Sequence, residues 1–261
     1  MHSALWVAKT GLSAMDKQLS TISNNLANVS TTAFKKDRAV FENLMYQTLR
    51  APGGLSSQNT ELPSGLQMGA GVRVTGTQKN FEVGDYNITD RQLDVAIQGG
   101  GFFQVVQPDG SIAYTRDGQF QLNSQGDLVD SSGLLLDPGI TIDSDVVQIN
   151  IAEDGVVSVL RAGQTDMEEV GALTIANFIN PTGLHFMGSN LYGETTASGA
   201  PIVGVPGQDG LGYLSQGMLE SSNVNSIEEL VNMITTQRAY EMNSKVISAA
   251  DGMLSFVNQQ L

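Results

Sequence analysis

Residues 5–29 read LWVAKTGLSAMDKQLSTISNNLANV. Leucine recurs every seven residues, at Leu5, Leu12, Leu19 and Leu26, and three residues beyond each stands Ala8, Met15, Ile22 or Val29. All eight side chains are apolar. A 3.5-residue period lays them along one narrow seam, the geometry of a helix packed on another helix. An ordinary amphipathic core helix is the alternative reading. Residues 1–15 lack a basic start, and Lys9 and Asp16 interrupt any apolar centre, so the pattern of a cleaved secretory signal is absent.

The other end of the chain answers the first. Met233, Tyr240, Ile247, Leu254 and Leu261 repeat every seven residues, with Thr236, Asn243, Ala250 and Val257 three further on. This seam is half polar, a pattern that costs stability and fixes register. Ser226-Ile227-Glu228-Glu229 fits a capping box: the Ser226 hydroxyl accepts an early amide and Glu229 reaches back. Both acids also sit at the positive end of the helix dipole. A helix from 227 to about 258 would be ~48 Å long at 1.5 Å per residue. With weakly apolar flanks, such a rod needs partners.

Between the ends the composition changes. The chain has 261 residues and a net charge of −14, with 29 glycines, seven prolines and no cysteine. Segment 1–50 holds six basic and three acidic residues, segment 217–261 two and five, and the middle five and nineteen. The middle also holds 26 of the 29 glycines and every proline, so the ends are nearly free of helix breakers. The opposite charges of the two ends favour their association, modestly after salt screening. Asp109-Gly110, Asp117-Gly118, Asp154-Gly155 and Asp209-Gly210 punctuate short apolar runs, a hairpin signal. The pattern predicts strands over 93–98, 102–107, 112–115, 119–122, 127–130, 146–151, 156–160 and 171–178. Gly99-Gly100-Gly101 reads as a tight bend, because no Lys-Ser or Lys-Thr follows and no helix opens there. The fold class expected is therefore α+β: N- and C-terminal helices forming a coiled-coil-like α domain around a mainly β middle. The expected divisions are an N-terminal helix over 1–30, an extended connector over 31–80, a β-rich body over 81–216 and a C-terminal helix over 217–261.

The acidic balance opposes a nucleic-acid partner, which would need a basic surface. Without cysteine there is no disulfide, thiolate ligand or thiol nucleophile. No apolar run approaches the ~20 residues of a membrane span. Charged residues are 15% of the chain, below the ~25% of ordinary soluble domains, which suits a surface that neighbours will cover. His2 and His185 stand alone, without a second histidine at ligand spacing. Asp143, Asp145 and Asp130 lack the closing glutamate of a calcium loop. Paired carboxylates for glycoside hydrolysis stay open among the nineteen middle acids, although aromatics to stack a sugar are few. Trp6 flanks the seam and reads as a helix contact. No catalytic, metal or cofactor site is assigned.

A family resemblance enters at four places. Asn24-Asn25-Leu26-Ala27-Asn28-Val29-Ser30-Thr31 with Phe34-Lys35 resembles the N-terminal signature of flagellar axial proteins, the rod, hook and hook-associated subunits. Leu93-Asp94-Val95-Ala96-Ile97 with Gly101-Phe102-Phe103, and Tyr114-Thr115-Arg116-Asp117-Gly118-Gln119-Phe120, resemble the first strands of the shared body domain. Glu229-Leu230-Val231-Asn232-Met233-Ile234 with Gln237-Arg238-Ala239-Tyr240-Glu241-Met242-Asn243-Ser244-Lys245 resembles the rod and hook C-terminal helix. Ala33 departs from the pattern, since the family usually places glycine or another turn former there. Segment 46–71, with Tyr46, Arg50, Pro63 and Leu66, resembles an extra segment carried by one branch of the rod subunits.

The resemblance implies a structural subunit, not an enzyme. Copies would repeat head to tail into a helical tube, with terminal helices inside and an acidic body outside. It implies a rigid drive shaft carrying torque to the hook. Leu5, Leu12, Met15, Leu19, Ile22, Leu26, Val29, Met233, Tyr240, Asn243, Ile247, Leu254 and Val257 would then be interface residues. The implied partners are further copies of the chain, proximal rod proteins, the hook protein, the P- and L-ring proteins, a rod cap protein and the flagellar type III export apparatus. No cofactor is implied. The implied place is the basal body, from periplasm to outer membrane, reached without a cleaved signal. A proximal rod or hook subunit is the same-class alternative. A peptidoglycan-acting periplasmic enzyme and a secreted β-rich adhesin are the alternatives from other classes.

Overall fold

A computed structural model describes every residue except Met1, Gly54, Gln58, Asn59, Leu62, Pro63, Thr165 and Leu261. The fold is mixed α+β, with a helix at each end and a mainly β middle. The chain divides into two compact units. One comprises Met1–Ala27, Asp37–Lys79 and Asn225–Leu261, the other Asn28–Lys36 and Asn80–Val224.

In the first unit, α1 (His2–Ala27) packs on α2 (Ser226–Gln260). The two helices are close at Gly11, where an added Cβ would lie 3.2 Å from the Asn243 amide nitrogen. Stretch 31–80, expected as an extended connector, instead pairs largely with itself. Asp37–Asn43 pairs antiparallel with Val72–Lys79, and Gln47–Arg50 with Leu66–Met68. Pairing satisfies backbone groups that an isolated extended strand would leave to water. The Asn25 side chain fastens the first ladder to α1. Its Nδ2 donates to the Asp37 carbonyl at 2.9 Å, and its Oδ1 accepts from the Asp37 amide at 2.8 Å.

The cap of α2 corrects the sequence reading. Asn225 Oδ1 accepts from the amides of Ile227 at 3.0 Å and Glu228 at 3.3 Å, so Asn225, one residue before Ser226, is the N-cap. Both residue types cap well. The preceding chain decides which side chain faces the free amides.

The second unit holds the core. Its main sheet has nine strands, with Phe102–Val106 at the centre pairing with Ile112–Thr115, Leu135–Asp137 and Ile175–Asn177. Strand alternation sends neighbours to opposite faces, and here both faces are covered. Phe103, Val105, Ala113 and Ile175 join one apolar cluster. Phe102, Tyr114 and Ala176 join a second, with Phe178, Leu184 and Tyr192. A three-stranded meander, Val146–Ile151, Val156–Arg161 and Glu168–Ala172, stands beside the main sheet.

Two of the four Asp-Gly pairs close hairpins. Gly110 and Gly155 have φ of +84° and +89° between paired strands. Asp117-Gly118 is a kink followed by the Asp94–Gln119 bridge, and Asp209-Gly210 lies in a loop between strands that do not pair with each other. The predicted strands correspond to observed ones within a few residues, except that 171–178 is broken at Leu173-Thr174. Beyond residue 178 the sequence reading offered no strands, yet five follow: His185–Gly188, Leu191–Gly193, Ile202–Gly204, Tyr213–Gln216 and Met218–Glu220.

Candidate assembly interface

The seven-residue seams lie against the chain's own surface. Along α1, Ala8 and Ile22 are buried, and Leu5, Leu12, Met15, Leu19 and Leu26 are half-buried, as is Val29 just beyond the helix. Along α2, Thr236 is buried and Met233, Asn243, Ile247, Ala250 and Leu254 are half-buried. Tyr240 departs from the seam: it is exposed, and Ala239 takes the covered position. The side chain of Val257, like Leu261, lies outside the described residues.

The structure adds a second stripe that the repeat did not reveal. Ile227, Val231, Ile234, Met242, Val246, Met253 and Phe256 are all exposed, and Ile227 is 73% open. At 3.6 residues per turn these positions fall together on the side of α2 opposite the covered seam. So α2 is apolar on two faces. One is occupied within the chain. The other meets only solvent in a single copy, a long strip of exposed apolar side chains with Arg238 and Lys245 set among them, of the kind that marks an interaction surface.

The ribbon of the first unit is similar. Met45, Tyr46, Leu49, Leu66 and Met68 are exposed, Met45 to 89%, and Arg50 is exposed beside them. A two-stranded ribbon with its apolar side chains in water is marginal alone. Pro63 lies outside the described residues.

The second unit contains a buried ion cluster that sequence reasoning missed. Lys35 Nζ lies 2.5 Å from Glu220 Oε1 and donates to the Glu82 carbonyl at 2.7 Å. Arg116 Nε donates to Glu220 Oε2 at 2.9 Å, and its other nitrogens donate to the carbonyls of Ile97, Gly99 and Gly101. Gly84 N–H completes the shell on Glu220 Oε1 at 2.9 Å. Burial, seconded by Arg116, lowers Lys35 to about 8 against the pull of Glu220. Burial would raise Glu220, but Arg116 and Lys35 outweigh it and hold the carboxyl below its ordinary value. Phe34-Lys35 and Arg116 were both in motifs singled out by resemblance; only folding joins them to Glu220. Ala33, beside them, takes φ of +56° and its amide donates to the Glu220 carbonyl at 2.8 Å. The turn thus keeps a left-handed conformation without glycine.

The chemical candidates are dispersed. Asp143, Asp145 and Glu168 surround Arg161, and Asp130 ties the amides of Ser132 and Leu134. His185 is exposed in a cleft of about 980 Å³ with Ser111, Tyr114 and Glu194. Among the described residues no hydrogen bond links any two of those four, and no three His, Cys, Asp or Glu are placed to hold a metal ion.

Three family descriptions match in chain order: a flagella basal body rod protein over residues 5–35, the flagellar hook protein FlgE/F/G D1 domain over 96–159, and the flagellar basal body rod FlgEFG protein C-terminal region over 215–260. The flagellar basal-body rod protein FlgG of Buchnera aphidicola from Acyrthosiphon pisum is 56% identical over 99% of this chain and 100% of its own. This chain belongs to the flagellar basal-body rod family. FlgG of Borreliella burgdorferi is 47% identical over 99% of this rod protein and 98% of its own length. FlgF of Caulobacter vibrioides is 34% identical over 95% and 93%. Among solved structures, the Helicobacter pylori flagellar hook protein FlgE2 overlaps with a TM-score of 0.25 at 15% identity, covering 71% of this chain and 43% of that one. The rod protein is a structural subunit of the bacterial flagellum's basal body. The matched regions coincide with α1 and its turn, the central body strands, and α2. No helix among its described residues is long and apolar enough to cross a membrane.

Proposed function

We propose that this rod protein forms the distal rod, stacking head to tail into a stiff helical tube that carries torque to the hook. The observation that supports this most is the doubly apolar α2: one face is filled by the chain itself and the other is left for a neighbouring copy. Each side chain of that stripe contributes about 1.5–3 kcal/mol if fully buried, which no single copy collects. The neighbours would be proximal rod proteins, the hook protein, the P- and L-ring proteins and a rod cap protein. The chain would reach the periplasm and outer membrane through the flagellar type III export apparatus. The seam residues of α1 and α2 then support the interface indirectly, by holding the outward stripe in place.

The test is a pair of charges on that stripe. Val246→Glu with Met253→Glu, positions with no basic residue three or four places away, leaves the covered seam intact, so the monomer keeps its helicity. Polymer yield in sedimentation should fall at least tenfold, because burying two unpaired carboxylates costs several kcal/mol. Normal tubes from the double variant would refute the assignment of the stripe.

The ribbon has its own role in this reading: it adds contacts between copies that suppress bending. Removing residues 46–63 should give rods that are curved or flexible in electron micrographs. Straight rods of normal stiffness after the deletion would exclude that role.

A further inference from the structure

A cleft of about 360 Å³ lies within the second unit, bounded by residues 29–32, 87–94 and 219–222. Asp94 lines it. The residue is 1% exposed, and its Oδ1 receives no hydrogen bond. Arg91 Nη1 stands 3.8 Å from that oxygen, beyond hydrogen-bond reach, on a side chain that is itself mostly exposed. A buried carboxylate oxygen without a donor is costly, and structures rarely leave one so. Another carboxylate feels its charge. Asp117 is raised first by burial, and the charges of Asp130 and Asp94 add to the shift.

The walls narrow the choice of ligand. Ser30, Thr32, Asn87 and Thr89 supply neutral hydrogen-bonding groups. Glu220 also borders the cleft, but Lys35, Arg116 and Gly84 already occupy its oxygens. Among the described residues no three potential ligands converge on a metal. What remains is an organic cation whose N–H groups can reach Asp94 while hydroxyls and amides flank its stem. Charge complementarity points to the source. Segment 1–50 of this chain holds six basic residues against three acidic ones, and Lys9 and Lys17 are exposed on α1.

We propose that the Asp94 cleft is a socket for one basic side chain, presented by the N-terminal segment of a second copy of this chain. The choice of a second copy rests on the assembly reading above; the socket's chemistry does not. Arg91 holds the mouth in the single copy and moves aside when the socket fills.

The experiment has two arms on the full chain. In the first, methylguanidinium and butylammonium are titrated into dilute monomer while the amide resonances of Thr89 and Ser221 are followed. Saturable shifts are expected. Asp94→Asn should weaken them roughly tenfold or more, as loss of a charged hydrogen bond does, and Arg91→Ala should strengthen them by unblocking the site. In the second arm, critical concentrations for polymerisation are compared. Asp94→Asn and the Lys9→Gln, Lys17→Gln double variant should each raise the value, and combining them should add little more.

No saturable shift in the unaltered protein, or equal shifts in Asp94→Asn, would overturn the socket. If Asp94→Asn fails to fold, Arg91→Ala still decides: unchanged or weaker probe binding overturns the proposal. Probe binding together with unchanged critical concentrations would overturn the second copy as occupant. Failure of the unaltered protein to polymerise would instead sink the rod-assembly reading, and the first arm would still decide the socket.

Discussion

Replacing Glu220 with glutamine should cost the second unit about 3–5 kcal/mol of stability, the usual penalty for breaking a buried ion pair from one side. The change keeps the side chain's shape and removes only its charge. Lys35 and Arg116 would then be two buried cations with no anion between them. Arg116 retains three backbone carbonyls and cannot shed its proton. Lys35 retains the Glu82 carbonyl and can shed its own. The reverse change, Lys35→Met, should cost less, since Glu220 keeps Arg116 and the Gly84 amide. The double variant should lose much less than the sum of the two, a coupling that a double-mutant cycle in urea would read. Additive losses would mean that Lys35 and Glu220 do not act as a pair.

The same cluster predicts a pH dependence. Lys35 is lowered from 10.5 to about 8 in the fold. Below about pH 8 both folded and unfolded states carry the proton, and the burial of that charge is felt in full. Between about pH 8 and 10.5 the unfolded chain binds the proton more tightly, so stability rises with pH through that window. Glu220 works at the other end: its depressed carboxyl adds stability above the ordinary carboxylate range, lost as pH falls through the folded value. Denaturation midpoints measured against pH should therefore lose their alkaline rise in Lys35→Met.

The terminal helices were legible because their period survives any context: Leu5 through Leu26 keep one face whatever packs on it. What the period cannot say is whose surface does the covering. Most of the seam residues expected at contacts between copies are half-buried within this chain, and the open stripe from Ile227 to Phe256 went unread. Two apolar stripes on opposite sides of α2 nearly cancel as a periodic signal. Only burial separates them. Hairpins at Asp109-Gly110 and Asp154-Gly155 were legible because the turn chemistry is local. The strands after residue 178 are three or four residues long and interleaved with glycine, too short to show alternation. The cluster at Lys35, Arg116 and Glu220 joins residues up to 185 positions apart, and no local pattern encodes that.

Gly118→Ala should be the most damaging glycine-to-alanine change among the described residues, and the reason separates two uses of glycine. An added Cβ at Gly118 would sit 1.6 Å from the carbonyl oxygen of Val95. Backbone, not a flexible side-chain end, is in the way. Val95 is wholly buried in the main core, and its amide donates to the Gly118 carbonyl at 3.0 Å. Relief requires pulling the two segments apart, which breaks that bond and disturbs the adjoining Asp94–Gln119 bridge. The expected loss is above about 4 kcal/mol, the range reserved for disrupted cores. Gly110→Ala is the control. Gly110 has φ of +84° but nothing within 4 Å of a new Cβ, so its penalty is backbone strain alone, about 1–2 kcal/mol. Thermal unfolding should leave the Gly110 variant folded with a modestly lower midpoint. The Gly118 variant should lose the near-ultraviolet signal of the aromatic core or fail to fold. Equal losses at the two sites would mean that the approach of strand to kink is looser than the structure has it, and that conformational freedom is all that Gly118 contributes.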